Sequence, residues 1–358
     1  MTARLELSLV TPGTASIWVS LAAPADKLEI RDGSLVSRGE PVYLFGSANG
    51  DSSNDTLVLL ERYGLHLATY DVAPSDTLAS EHATTGFAAP MTAYFDDARR
   101  RGVHLVLDLA TANLPPWAQS PAMDAPDASS FNYDLMDDES RNILARHIRS
   151  AVFVAKAHPN VIGVSLARDP ALRLRESTLR EGLISLAQSR YREHDAMNRR
   201  WRTRYMDFDE IEVDWASRHT AYLYDLQTYH QELGTQLFAW LAAASRDAAP
   251  EVPVQIQFAD KAFEEGESTL GVDRESILAS MDISGCSPIQ VLGGDALALG
   301  TPNQAACYAL LRSLRPSAPV LNTNDGFTLP PGVTGRAAYG RVRAMMWEAV
   351  IAGLSASA

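Results

Sequence analysis

The chain has 358 residues, of which 46% are hydrophobic and 21% charged, and its 31 Lys and Arg against 44 Asp and Glu leave a formal charge of −13. That length exceeds one average domain and suits a single (β/α)8 barrel of about 250 residues with an added piece. The acidic balance, with no Lys/Arg run able to follow a phosphate backbone, argues against nucleic acid as a partner.

Cys286 and Cys307 are too few for a disulfide or metal framework and read as small apolar core residues. The opening MTARLELSLV lacks a basic start followed by a long apolar stretch, and no apolar run reaches about 18 residues. Neither a signal peptide nor a membrane span is expected.

Residues 4 to 36 alternate in the manner of strands: Leu5, Leu7 and Leu9, then Ile17, Val19 and Leu21, then Leu28 and Ile30. Turn signals at Thr11-Pro12-Gly13 and Arg31-Asp32-Gly33 separate them. A short antiparallel β extension over residues 1–38 is therefore expected, linked through Ser37 to Pro41 to a barrel domain over residues 39–358.

From there the pattern becomes strand, helix, strand, helix. Val42 to Gly46 is a first strand, and Asn54 or Asp55 caps a helix through Leu57, Leu60 and Arg62 that stops at Gly64. Leu65 to Asp71 is the second strand, Ala88 to Arg101 a helix, and Val103 to Leu109 the third strand, with Leu114-Pro115-Pro116-Trp117 in the loop after it. A helix from Asp138 to Ala157, capped by Asp137, leads to the stretch HPNVIGVSLARDP. There Val161, Ile162, Val164 and Leu166 suit a fourth strand buried on both faces, ending in the polar Arg168-Asp169-Pro170.

A loop-helical insertion over residues 171–212 follows; its Arg190, Arg192, Arg199, Arg200, Arg202 and Arg204 alternate with acids and read as a solvated face. The helix over residues 214–246 carries Trp215, His219, Tyr222, Leu226, His230, Leu233, Leu237 and Leu241 at helical spacing, a core stripe. Pro253 to Phe258 is strand five, Asp273 to Met281 a short helix, Asp282 to Cys286 strand six, and Asn303 to Leu314 a helix. Pro319 to Thr323 is strand seven and Arg336 to Ala352 a helix, after which Gly353 to Ser357 opens strand eight, where the chain stops. Repeated alternation predicts an α/β chain closing as a (β/α)8 TIM barrel, and the want of an eighth helix leads us to expect truncation at strand eight.

In such a barrel the strand tips share one rim. The polar tips are Asn49 after strand one, Tyr70 and Asp71 after two, Asp108 and Trp117 after three, Arg168 and Asp169 after four, Asp260 after five, and Asn324 and Asp325 after seven. The Glu264-Glu265-Gly266-Glu267 cluster reads as a solvated loop. None of the eight histidines shows paired ligand spacing, and no glycine-rich phosphate loop occurs, so neither a metal nor a nucleotide cofactor is expected.

The strand-four stretch resembles the fourth barrel strand of (β/α)8 glycoside hydrolases, especially the family 42 β-galactosidase-like group. The DLATANLPPW segment resembles their strand-three loop, and Trp201, inside NRRWRTRY, resembles a Trp that reaches the pocket from the inserted segment. In that family strand four ends in Asn-Glu, the Glu being the acid/base, and a second Glu after strand seven is the nucleophile. The resemblance implies a carbohydrate ligand, with Asp169 as the acid and, on strand seven, Asn324 at the Glu position and Asp325 one residue later. Both positions depart from the family's Glu, and an amide cannot form a glycosyl ester.

Three readings stay open on these residues. One is an active hydrolase of β-linked glycosides with Asp169 and Asp325 as its catalytic pair. Another is an inactive carbohydrate-binding barrel in which Trp117, Tyr70 and Asp108 still hold sugar; Arg168, Asn324, Asn49, Asp260 and Trp201 are the further candidate sugar contacts in either case. The last makes Arg168-Asp169 a structural ion pair.

Overall fold

The computed structural model describes residues 2–6, 16–20, 25–48, 53–118, 131, 133–172, 174–259, 270–287, 290–291, 302–325, 327–328 and 335–358. Eight parallel strands close into a barrel: Leu44–Ser47, Leu67–Val72, His104–Leu109, Val161–Arg168, Val254–Ala259, Ser284–Ser287, Val320–Asn322 and Leu354–Ser357. We number these barrel strands one to eight. Strand eight pairs with both strand seven and strand one, which closes the ring as the alternation predicted. The third strand has all six residues buried and the fourth has seven of eight, as a strand covered on both faces requires.

Strand one begins at Leu44, later than expected, because the residues before it belong to a different sheet. Glu29–Arg31, Ser34–Ser37 and Glu40–Val42 form an antiparallel meander, so Ser37 to Pro41 is a turn and part of a third strand instead of a linker. Its two tight turns, Asp32-Gly33 and Arg38-Gly39, hold positive φ at both residues, the twist that joins adjacent antiparallel strands. Asp-Gly announces such a turn in sequence; Arg-Gly does not.

The meander packs against the barrel's inner apolar floor. Leu35, with Leu28, Ile30 and Val42, shares one cluster with Leu44, Leu67, Val106, Ile162 and Leu321 from five barrel strands and with Ile283 just ahead of strand six. Gly33 docks the turn: its N–H donates to Ser317 O at 3.2 Å, in the loop that enters strand seven. A Cβ on Gly33 would stand 2.3 Å from Pro316 O, and φ there is +74°. Gly33→Ala is expected to cost about 2 kcal/mol, read as a lower urea midpoint with unchanged m-value; an unchanged midpoint would show that the turn does not dock.

Helices cover the barrel at capped ends. Asn54–Tyr63 is capped by Ser53, whose Oγ accepts from Thr56 N, and not by Asn54 or Asp55; it ends at left-handed Gly64 as expected. Asp137 caps Asp138–Ala155 by accepting from Ser140 N. Cys286 and Cys307 are free and buried.

The insertion builds its own core. Helices Glu176–Tyr191 and His194–Trp201 pack Leu179, Leu183, Met197 and Trp201 against Tyr222 and Leu226 of the long helix Thr220–Ala248. That helix starts at Thr220, so Trp215 and His219 precede its first turn. Arg190 departs from the solvated face: it donates to Asp225, which also accepts from Tyr191 Oη and Trp201 Nε1. Among the described residues no helix is long and apolar enough to cross a membrane.

Candidate functional site

Neighbouring strands carry a row of polar side chains at the C-terminal mouth. In register, Asp71 of strand two lies beside Asp108 of strand three, Asp108 beside Ser165 of strand four, and Arg168 beside Gln257 of strand five. The pairing of strands four and five shifts between Ser165 and Arg168, and this extra residue keeps Arg168 on the same face as Ser165. Strict alternation would have sent it outward.

Asp108 is the centre of the row. Only 2% exposed, it accepts from Arg168 Nη2 at 2.9 Å and from Gln257 Nε2 at 3.0 Å, while Gln257 also donates to Ser165 Oγ. Burial pushes the Asp108 carboxyl up to about 6, against the opposing pull of the Arg168 charge. Asp71, 3.6 Å from Arg168 Nη2, is likewise raised by burial and held back by Arg168. Burial draws Arg168 down, yet Asp108 and Asp71 outweigh it and leave the guanidinium more basic than usual.

These three groups border a cavity of about 130 Å³, walled by Leu109, Ala110, Thr111, Ala112, Phe131 and Ala167. Its wall is braced, with Thr111 Oγ1 donating to Leu166 O and Tyr133 Oη donating to Thr111 O at 2.6 Å. Asp71 Oδ1 and Arg168 Nε are buried at its edge and find no hydrogen-bond partner among the described residues. The arrangement can accept a ligand's donors on Asp71 and pack its apolar side on alanine and phenylalanine.

Asp169 comes directly after strand four. Its backbone is left-handed, φ +46°, its N–H donates to Gln257 O at 2.8 Å, and its carboxylate accepts from Ser287 Oγ at 2.7 Å. The cation of Arg168 is committed to Asp108 and Asp71, with Asp169 adding a smaller attraction. The expected Arg168-Asp169 pair is thus replaced by a bridge to strands two and three, because the inward turn of Arg168 aims its guanidinium across the mouth.

Asp325 is held elsewhere. Its N–H donates to Ala358 O, and its carboxylate accepts from Ser357 Oγ at 2.7 Å and Gln304 Nε2 at 3.4 Å. Gln304 belongs to the helix Pro302–Leu314 and also donates to Tyr308 Oη, which takes a second bond from Asn322 of strand seven. Asp325 therefore sits at the seam between strand eight and a covering helix, and burial pushes it up to about 6 while the Ser357 bond lowers it. Asn324 is half-buried, its N–H on the Asn322 side chain.

Two expected sugar contacts are corrected. Tyr70 packs on Tyr94 and Phe95 of the helix Ala88–Arg100, with ring centroids 5.1 and 5.2 Å away, since alternation puts it on the face opposite Asp71. Trp201 is fully buried in the insertion between Tyr191 and Tyr222, because its indole N–H is taken by Asp225. Trp117 stands outside the cavity, 38% exposed, its N–H donating to Leu78 O. Asn49, Asp260 and the Glu264 to Glu267 cluster lie outside the described residues.

Gln257, Ser287, Thr111 and Phe131 were missed by sequence reasoning. The two glutamines were visible: Gln255 and Gln257 alternate with Val254, Ile256 and Phe258, the mark of a strand with a polar inner face. Among the described residues no group of three or more His, Cys, Asp and Glu side chains is placed to hold a metal ion.

No family model matches the chain, and no curated protein matches it in sequence. Solved structures do match in fold. An exo-carrageenase of glycoside hydrolase family 42 from Bacteroides ovatus superposes with a TM-score of 0.73 at 16% identity, over 94% of this chain and 49% of its own. The chain has the (β/α)8 TIM-barrel fold. A cold-adapted β-galactosidase from Rahnella sp. R3 gives 0.68 at 13% identity, over 88% of this chain and 49% of its own. The catalytic domain of a β-amylase from Paenibacillus polymyxa gives 0.64 at 13% identity, over 88% and 90%. The chain spans about half the length of the two family 42 and β-galactosidase structures it matches.

Proposed function

We propose that this chain is a carbohydrate-binding barrel that carries the glycoside-hydrolase fold without its paired-carboxylate chemistry. The observation behind this reading is the engagement of Asp325 with Ser357 and Gln304, at the seam between strand eight and a helix. Retaining and inverting hydrolysis both need two carboxyl groups flanking one glycosidic bond. Asn324, the other residue at the strand-seven tip, is an amide and forms no glycosyl ester. What the mouth offers instead is a braced cavity with Asp71, Asp108 and Arg168 on one side and a small apolar wall on the other.

The test is calorimetry with glucose, galactose and β-linked disaccharides, run beside chromatography of the same mixtures. Saturable heats with no hydrolysis product are expected. A second reading, hydrolysis of β-linked glycosides with Asp169 as the acid, is favoured by the left-handed backbone of Asp169 at the strand-four tip. Product that disappears in Asp169→Asn would replace the binding proposal with that one.

A further inference from the structure

Among the described residues the cavity beside Asp108 has an unequal set of charges. Two carboxylates, Asp71 and Asp108, face one guanidinium, and Asp169 stands at the next position along the chain. Arg168 spends its closest contact, 2.9 Å, on Asp108, and Gln257 supplies Asp108 with a second donor at 3.0 Å. Asp108 is therefore provided for by the protein.

Asp71 is not provided for in the same way. Its Oδ1 is buried, lies 3.6 Å from Arg168 Nη2, beyond hydrogen-bond distance, and accepts no hydrogen bond among the described residues. A buried acceptor left in this state is costly until a donor arrives, and an ammonium donor adds charge to the bond. Among the described residues an anionic ligand would meet two carboxylates at this cavity against the one guanidinium, whose Nη2 is held by Asp108 and whose Nε alone is left unpartnered. The remaining wall, Ala110, Ala112 and Phe131, is small and apolar, and suits the C–H face of one sugar ring.

Resting on the carbohydrate-binding reading, we infer that the cavity selects a sugar bearing a free amino group, an unacetylated hexosamine whose ammonium is received by Asp71. A neutral hexose places only a hydroxyl there and binds more weakly. A uronate or sulfated sugar is disfavoured. N-acetylation removes the charge and enlarges the group, so it removes the preference.

The experiment is calorimetric titration of the full chain with galactosamine, galactose, N-acetylgalactosamine and galacturonate, repeated with the four gluco counterparts. In at least one series the free amine is expected to bind on the order of tenfold tighter than the neutral hexose, with the uronate weakest. Asp71→Asn, with its circular dichroism checked against the parent, is expected to bring the ratio of amine to hexose affinity to about one. Should that variant not fold, the parent's own ratio of amine to hexose decides. Equal affinities for amine and hexose, tighter uronate binding, or a ratio unchanged in folded Asp71→Asn would each overturn the inference and leave the binding proposal standing. Absence of binding by every sugar would overturn both.

Discussion

Asp225→Ala is expected to loosen the helical insertion and lower stability by about 3 to 5 kcal/mol. The Asp225 side chain is 5% exposed and takes donors from three directions, Arg190 Nη1, Tyr191 Oη and Trp201 Nε1, the last at 2.7 Å. Removing the acceptor leaves an indole N–H buried without a partner and an arginine without its counter-charge. Asp225→Asn keeps one oxygen and should lose less. Urea unfolding followed by tryptophan fluorescence reads the total, and amide exchange over residues 176–201 locates it. A parent-like midpoint with unchanged exchange would show that apolar packing alone holds these helices.

Asp325→Asn is expected to act in the opposite direction, raising stability by about 2 to 3 kcal/mol at about pH 7.5 and changing it little at about pH 4. The sign follows from the proton. Asp325 titrates near 6 in the folded chain against 3.8 for the ordinary carboxyl, so between those values the folded state holds a proton that the unfolded state has released. The resulting stabilisation is complete below the unfolded value and is lost as pH rises through about 6. Above that point a buried charge remains, with Ser357 and Gln304 as donors. The amide keeps the shape and an acceptor for Ser357 while removing the charge. Sugar binding should survive the change. Destabilisation of the variant at high pH would mean that Asp325 needs its charge, as a catalytic or ligand-holding carboxylate does.

Much of the architecture was legible along the chain because barrel strands and their helices follow local rules. Val161 to Leu166 and Val103 to Leu109 are too uniformly apolar for a one-faced sheet, and both are buried barrel strands. Ends were less legible. Glu40–Val42 reads as the start of strand one until its pairing with Ser34–Ser37 is known, since the same short apolar residues suit either sheet. Arg38 gives no warning that it takes a left-handed turn.

The site divides in the same manner. That Asp71, Asp108 and Arg168 sit at the tips of three successive strands follows from where each strand stops, and Tyr70 could have been assigned outward from its adjacency to Asp71 alone. Residue order and strand period by themselves determine the barrel and which tips share its mouth, because burial of alternating and continuous apolar stretches is a property of each segment. Only the tertiary structure decides which partner each tip takes. Arg168 reaches Asp108 through a shift in strand pairing, Trp201 turns to Asp225 on a helix, and Asp325 is met by Ser357 and Gln304; each of these bonds forms between groups brought together by closure of the ring or packing of the insertion.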